Sequence, residues 1–189
     1  DPAPAVAPGL GPPEVVDPLH RLAVVVRRAR QRQRMDDADH GLAAPEDPLD
    51  VAGDQHAAHK RVACQRAAKW VQAHDSLFID CGTTMAHFAE ALPPDMPLSV
   101  VCYSTNIASI LSRRPNTQLM LLGGLYHPSS ASFLSDEGLQ YLNRLGVNKA
   151  FLSAGGVDPV RGASCSNFHE VPVKQAEIGS ASHTFLFVD

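Results

Sequence analysis

Three apolar residues, Leu77-Phe78-Ile79, run straight into Asp80-Cys81-Gly82-Thr83-Thr84. Met85, Phe88, Ala89 and Leu92 then recur at helical spacing. That is the pattern of a strand, a tight glycine turn and a helix. Glycine at position 82 lets the backbone come close to a ligand. Thr83 and Thr84 fall in the first helical turn, where free N–H groups, hydroxyls and the positive end of the helix dipole converge. An anion suits that place, a phosphate most of all.

The same alternation continues downstream. Apolar runs at 98–103, 118–122, 149–152 and 184–188 read as further strands. Helical periodicity marks an amphipathic segment from about His56, with Ala63, Cys64, Ala67, Ala68 and Val71 on one face and Arg61, Gln65, Lys69 and Gln72 on the other. Helices are also expected at 83–92, from Ser104 to before Pro115, at 136–145 and at 170–181. Ser135 fits an N-cap and Gly146 a C′ residue for the fourth of these. Strands apolar on both faces, alternating with helices, predict an α/β fold with a parallel sheet covered by helices on both sides.

Ligands of such sheets bind beyond the carboxyl ends of the strands. Here that edge collects Asp80, Gly82, Thr83, Thr84, Asn106, Gly123, Gly124, Ser153, Gly155 and Gly156. Hydroxyls, amides and bare backbone suit a small, polyhydroxylated, phosphorylated ligand. Glu170 and Lys174, four apart, share a helix face. Lys174 offers a cation to a phosphate or hydroxyl, and Glu170 an acceptor to a sugar hydroxyl. Plainer roles stand beside these. Asn106 serves equally as a helix cap, Glu170 and Lys174 as an exposed ion pair, and Cys81, Cys102 and Cys165 as small apolar fillers. His127 and His169 sit in loops near the site, each as a lone histidine. His56 and His59 have helical metal spacing but no third ligand nearby, and are expected at the surface.

Composition bounds the rest. At 189 residues with 44% hydrophobic content, the chain is one domain, or one domain with an appendage. Its net charge of −4 argues against a chain that is cationic as a whole and built to hold nucleic acid. Four cysteines without a CxxC pair fit a reducing, cytoplasmic compartment. No apolar run approaches a membrane span, and nothing at the start reads as a signal peptide.

Residues 1–55 differ from the rest. Eight of the fifteen prolines lie there, with Arg21, Arg27, Arg28, Arg30, Arg32 and Arg34 in close succession. Only Leu22-Ala23-Val24-Val25-Val26 forms an apolar run. The composition is that of a disordered tail, or of a shifted reading frame in GC-rich DNA. The expected organisation is an irregular segment over 1–55 and an effector domain over 56–189.

Asp80-Cys81-Gly82-Thr83-Thr84, Ser104-Thr105-Asn106, Leu122-Gly123-Gly124, Lys149-Ala150-Phe151, Ser153-Ala154-Gly155-Gly156-Val157 and the pair Glu170, Lys174 resemble the sensor domain of DeoR-family bacterial transcription regulators. Val101-Cys102-Tyr103-Ser104, Gly162-Ala163-Ser164-Cys165-Ser166-Asn167 and Glu170-Val171-Pro172-Val173-Lys174 resemble its regulators of deoxynucleoside catabolism. The resemblance implies a fold similar to ribose-5-phosphate isomerase and the coenzyme A transferases. It implies a repressor released from operator DNA by a sugar phosphate, here deoxyribose 5-phosphate, with no catalysis and no cofactor. By motif, the ligand-site role falls to Asp80, Gly82, Thr83, Thr84, Asn106, Gly124, Gly155, Glu170 and Lys174. Self-association into a homo-oligomer is also implied.

Two departures accompany it. The family's helix-turn-helix has no counterpart in residues 1–55, so operator contact is expected from a segment not visible in this chain. The family pattern also continues past Asp189, so the chain is expected to be a fragment truncated at its C-terminus. A sugar-phosphate isomerase on the same fold, with Glu170 or Asp80 as base and Lys174 as electrostatic stabiliser, is the competing reading.

Overall fold

The computed structural model describes residues 56–158, 162–165 and 167–188, together with the backbone of 22–26. The irregular segment expected over 1–55 therefore lies outside the described residues, except for Leu22–Val26. That run, apolar in sequence, is strand β1.

Five further strands complete one parallel sheet: β2 (Ser76–Ile79), β3 (Leu98–Cys102), β4 (Thr117–Leu121), β7 (Val147–Ser153) and β10 (Ala181–Val188). Their spatial order is β1-β10-β7-β2-β3-β4. Helices α1 (Ala57–Ala68), α2 (Thr83–Ala91), α3 (Thr105–Leu111), α4 (Asp136–Leu142) and α5 (Val171–Ser180) connect them. Two small antiparallel hairpins stand apart, β5 (Leu125–His127) with β6 (Ser132–Leu134), and β8 (Gly156–Asp158) with β9 (Gly162–Ser164). Neither hairpin is among the strands expected from the sequence, because strands this short carry no sustained apolar run.

Alternation along each strand splits the core into two layers. Leu77, Ile79, Val100, Cys102, Phe151, Phe185 and Phe187 face α1, α2 and α3. Phe78, Val101, Ala150, Leu152 and Leu186 face α4 and α5. On the first side Phe88 of α2 stacks on Phe151 (4.1 Å between ring centroids), which stacks on Phe185 (4.8 Å). Those rings fix α2 against the centre of the sheet. The predicted inner face of the first helix is also present, with Cys64, Ala67, Ala68 and Val71 buried.

Helix ends follow local chemistry. Leu92 is extended because Pro93 follows it, and α2 stops there. Ser135 caps α4 by accepting the Gly138 N–H at 2.9 Å. Gly146 is not the C′ residue of that helix. α4 ends at Leu142 with Asn143 as its cap, and Gly146 does not adopt a positive φ. β4 departs from the fully buried pattern as well: it is an edge strand with Met120 and Leu121 exposed.

The order of strands sets where a ligand can sit. From β2 the chain moves outward through β3 and β4, then returns to β7 on the other side of β2. The crevice between the carboxyl ends of β2 and β7 is therefore the switch point of the sheet.

Candidate functional site

Asp80 lies at the end of β2, fully buried, at that switch point. Its Oδ2 accepts the Ser153 N–H from the end of β7 at 3.0 Å and lies 3.2 Å from the Ser153 hydroxyl. The Tyr103 hydroxyl, just after β3, donates to Oδ1 at 2.5 Å. The Lys174 ammonium from α5 also donates to Asp80 Oδ2, and to the Ser153 carbonyl at 3.1 Å. Strands β2, β3 and β7 and helix α5 thus meet at one carboxylate.

Glu170 joins the cluster one helical turn before Lys174. Its carboxylate is 3.7 Å from the ammonium and accepts from the Asn167 side-chain amide at 2.8 Å. The pair is largely buried, which overturns the reading of an exposed ion pair. Burial by itself would lower the Lys174 ammonium, but Asp80 beside it, with Cys81 and Glu177, raises it above the usual lysine value. Lys174 is a permanent cation here. Glu177, three residues on, is fully buried with no hydrogen-bond partner for either oxygen. Burial pushes its carboxyl well above the ordinary value, and the charge of Asp80 adds to this.

The glycine turn lies against this cluster, with the Ser153 hydroxyl 3.3 Å from the Cys81 carbonyl. Gly82 has φ 97° and ψ 172°, a region essentially closed to other residues. A Cβ there would meet the Ser153 hydroxyl oxygen at 3.8 Å, an ordinary contact, so the backbone angle rather than crowding from the protein calls for glycine. No side chain caps the N-terminus of α2. Lys60 of α1 reaches this end, its ammonium donating to the Thr83 hydroxyl at 3.0 Å. Asn106 does not cap α3. Its amide donates to the Gly82 carbonyl at 3.3 Å, while its Oδ1 is buried without a partner.

The structure therefore brings Asp80, Gly82, Thr83, Asn106, Glu170 and Lys174 together, with Thr84 next in the turn. The other two glycines have structural work. A Cβ on Gly124 would lie 2.2 Å from the Leu134 carbonyl oxygen, so this glycine admits the β5–β6 hairpin. Gly155 donates its N–H to Ser164 at 2.8 Å, closing the β8–β9 hairpin. Lys149, part of a recognised motif, binds Asp75 near the opposite ends of the strands. His127 and His169 stack at 4.6 Å and tie the β5–β6 hairpin to the turn before Glu170. Cys81 and Cys102 are buried thiols, the latter pushed up to about 12 by burial, as expected of fillers. Among the described residues no group of three or more His, Cys, Asp or Glu could hold a metal. No described helix is long and apolar enough to cross a membrane.

Lys60, Tyr103, Asn167 and Glu177 were not singled out by sequence. Lys60 and Tyr103 lie on elements distant in sequence from the groups they bond, Thr83 and Asp80. Asn167, three residues before Glu170, and Glu177, three after Lys174, have a spacing signal.

The family model "DeoR C terminal sensor domain" matches residues 55–189. The deoxyribose operon repressor of Escherichia coli K12 is 39% identical over 130 residues, 69% of this chain and 52% of that protein. The HTH-type transcriptional regulator IolR of Bacillus subtilis is 28% identical over 135 residues, 71% of this chain and 54% of that protein. The glycerol-3-phosphate regulon repressor of Escherichia coli K12 is 27% identical over 130 residues, 69% of this chain and 51% of that protein. The chain spans about half the length of these curated relatives. Among solved structures, ribose 5-phosphate isomerase A of Methanocaldococcus jannaschii superposes with a TM-score of 0.51. Its identity is 16%, over 71% of this chain and 53% of that one, a likeness of fold alone. The matched relatives are named as repressors and regulators of transcription, not as enzymes. This chain belongs to the DeoR family and carries its C-terminal sensor domain.

Proposed function

We propose that this domain is the effector-binding part of a repressor of deoxyribose catabolism, released from its operator by deoxyribose 5-phosphate. The carrying observation is the uncapped start of α2, with the Lys60 ammonium resting on the Thr83 hydroxyl. Backbone N–H groups, two threonine hydroxyls and a lysine are the donors a phosphate needs. The phosphate takes the Gly82-Thr83-Thr84 end, and Lys60 shifts its ammonium from Thr83 onto it. The sugar lies toward Lys174, Glu170 and the unpartnered Asn106 Oδ1. Similarity to the deoxyribose operon repressor supports the choice of sugar. Operator contact falls to a helix-turn-helix, the protein acts in the cytoplasm, and it assembles as a homo-oligomer.

Calorimetric titration of the chain with deoxyribose 5-phosphate, ribose 5-phosphate and inorganic phosphate tests the reading. Deoxyribose 5-phosphate is expected to bind selectively. Thr83→Ala and Lys60→Met are each expected to weaken it by about tenfold or more, since a hydrogen bond to a charged group contributes about 1.5–3 kcal/mol. Equal binding of all three would remove the sugar assignment. A folded chain that binds none would overturn the site.

A further inference from the structure

Strand β4 ends the sheet, and nothing described pairs with its outer side. Its residues, Thr117-Gln118-Leu119-Met120-Leu121, include no charge and no proline. Natural edge strands are guarded by lysine, proline, a bulge or a covering element, because an unpaired row of N–H and C=O groups invites another strand. Among the described residues β4, a strand of five residues, has no lysine, proline or pairing element on its outer side.

The ladder tells which groups are free. The Leu122 N–H bonds to the Cys102 carbonyl at 2.8 Å, and the Asn116 carbonyl accepts the Leu98 N–H at 3.1 Å. Even-numbered residues therefore turn their backbone groups toward β3. By alternation Thr117, Leu119 and Leu121 turn theirs outward. Among the described residues, the one partner found on this row is the Arg114 carbonyl, which accepts the Thr117 N–H at 3.3 Å. Apolar surface flanks this row: Met120 is 39% exposed, Leu121 43% and, just beyond, Leu125 71%.

Charge at the two ends of β4 is opposite. Arg113 is exposed where the chain enters the strand, and no described residue pairs with it. At the exit the Ser135 hydroxyl is 3.3 Å from the Gly123 carbonyl, which sets exposed Asp136 and Glu137 of α4 beside that end. An antiparallel neighbour of identical sequence brings its acidic end to this basic end, and the reverse.

We propose that β4 is the seam between two copies of this chain, paired antiparallel about a two-fold axis at Leu119. A two-fold axis beside a strand makes the pairing antiparallel. Leu119 of one copy then faces Leu119 of the other, and Thr117 faces Leu121. Both outward-facing sets meet in register, and the two six-stranded sheets join into one. Strands β3 and β2 separate the seam from β7, so pairing leaves the Asp80–Lys174 cluster open.

Sedimentation velocity of the unmodified chain over a wide concentration range, with amide exchange at Leu119 and Leu121, tests this. A dimer is expected, with exchange at both amides slowing as concentration rises. Leu121→Pro removes an N–H that the monomer does not use, and it is expected to weaken the dimer by about tenfold or more, one hydrogen bond being lost on each copy. Circular dichroism checks that the variant folds, and Leu121→Lys is the second disruptor should it not. A monomer at every concentration overturns the proposal. So does a dimer that both variants leave intact, or exchange at these amides that ignores concentration.

Discussion

Glu177 is the residue whose chemistry is least settled by its surroundings. A fully buried carboxyl with both oxygens unpartnered is expensive to ionise, and here Asp80 and Glu170 add repulsion that Lys174 only partly offsets. Its folded pKa is raised above the ordinary 4.5, so the folded state holds a proton that the unfolded chain releases. The stabilising contribution is complete below about pH 4.5 and is lost as pH rises toward the folded pKa. Glu177→Gln keeps the volume and cannot ionise. The variant is expected to gain on the parent above that pH, by at most about 1.4 kcal/mol per unit, until the folded carboxyl itself ionises. Urea denaturation at a series of pH values checks this. Parallel stability curves for parent and variant from pH 4.5 upward would refute the raised carboxyl.

Asp80, Glu170 and Lys174 were legible as a set because each ends a strand or shares a helix face. Their burial was not legible. An (i, i+4) pair reads the same in sequence whether it faces water or the end of a sheet.

At the scale of elements, the turn between β2 and α2 is the most constrained piece. Gly82 holds backbone angles that L side chains adopt only under strain, while the space around it is ordinary. Gly82→Ala is therefore expected to cost about 1–3 kcal/mol through the backbone alone, read as a lowered midpoint in denaturant. An unchanged midpoint would mean that the turn relaxes to a common conformation. The five long strands and five helices could be read from sequence because parallel strands are buried on both faces and helices on one. What sequence hid were the elements with little burial. The β5–β6 and β8–β9 hairpins lack apolar runs, and β4 has the composition of a central strand although it lies at the edge.

At the scale of the molecule, strand order is what sequence could not supply. The chemistry-bearing turns were expected at one edge of the sheet. Only the return of the chain to β7, beside β2, puts Ser153 and Lys174 on Asp80. In the proposed binding mode a ligand would touch α1 through Lys60, α2 through the turn, α3 through Asn106 and α5 through Lys174. Unfolding must break all of these contacts at once, so binding and global stability are linked. With deoxyribose 5-phosphate at about 100 times its dissociation constant, the unfolding free energy is expected to rise by about 2.7 kcal/mol. Denaturant titration with and without ligand measures the increment. Thr83→Ala should lose it at the same ligand concentration. Inorganic phosphate at matched concentration should give a smaller increment, because it reaches the α2 end of the site but not the Glu170–Lys174 end. An equal increment from phosphate would mean that the anion alone is sensed. The buried cluster at the switch point would then be a structural clamp between β2, β7 and α5.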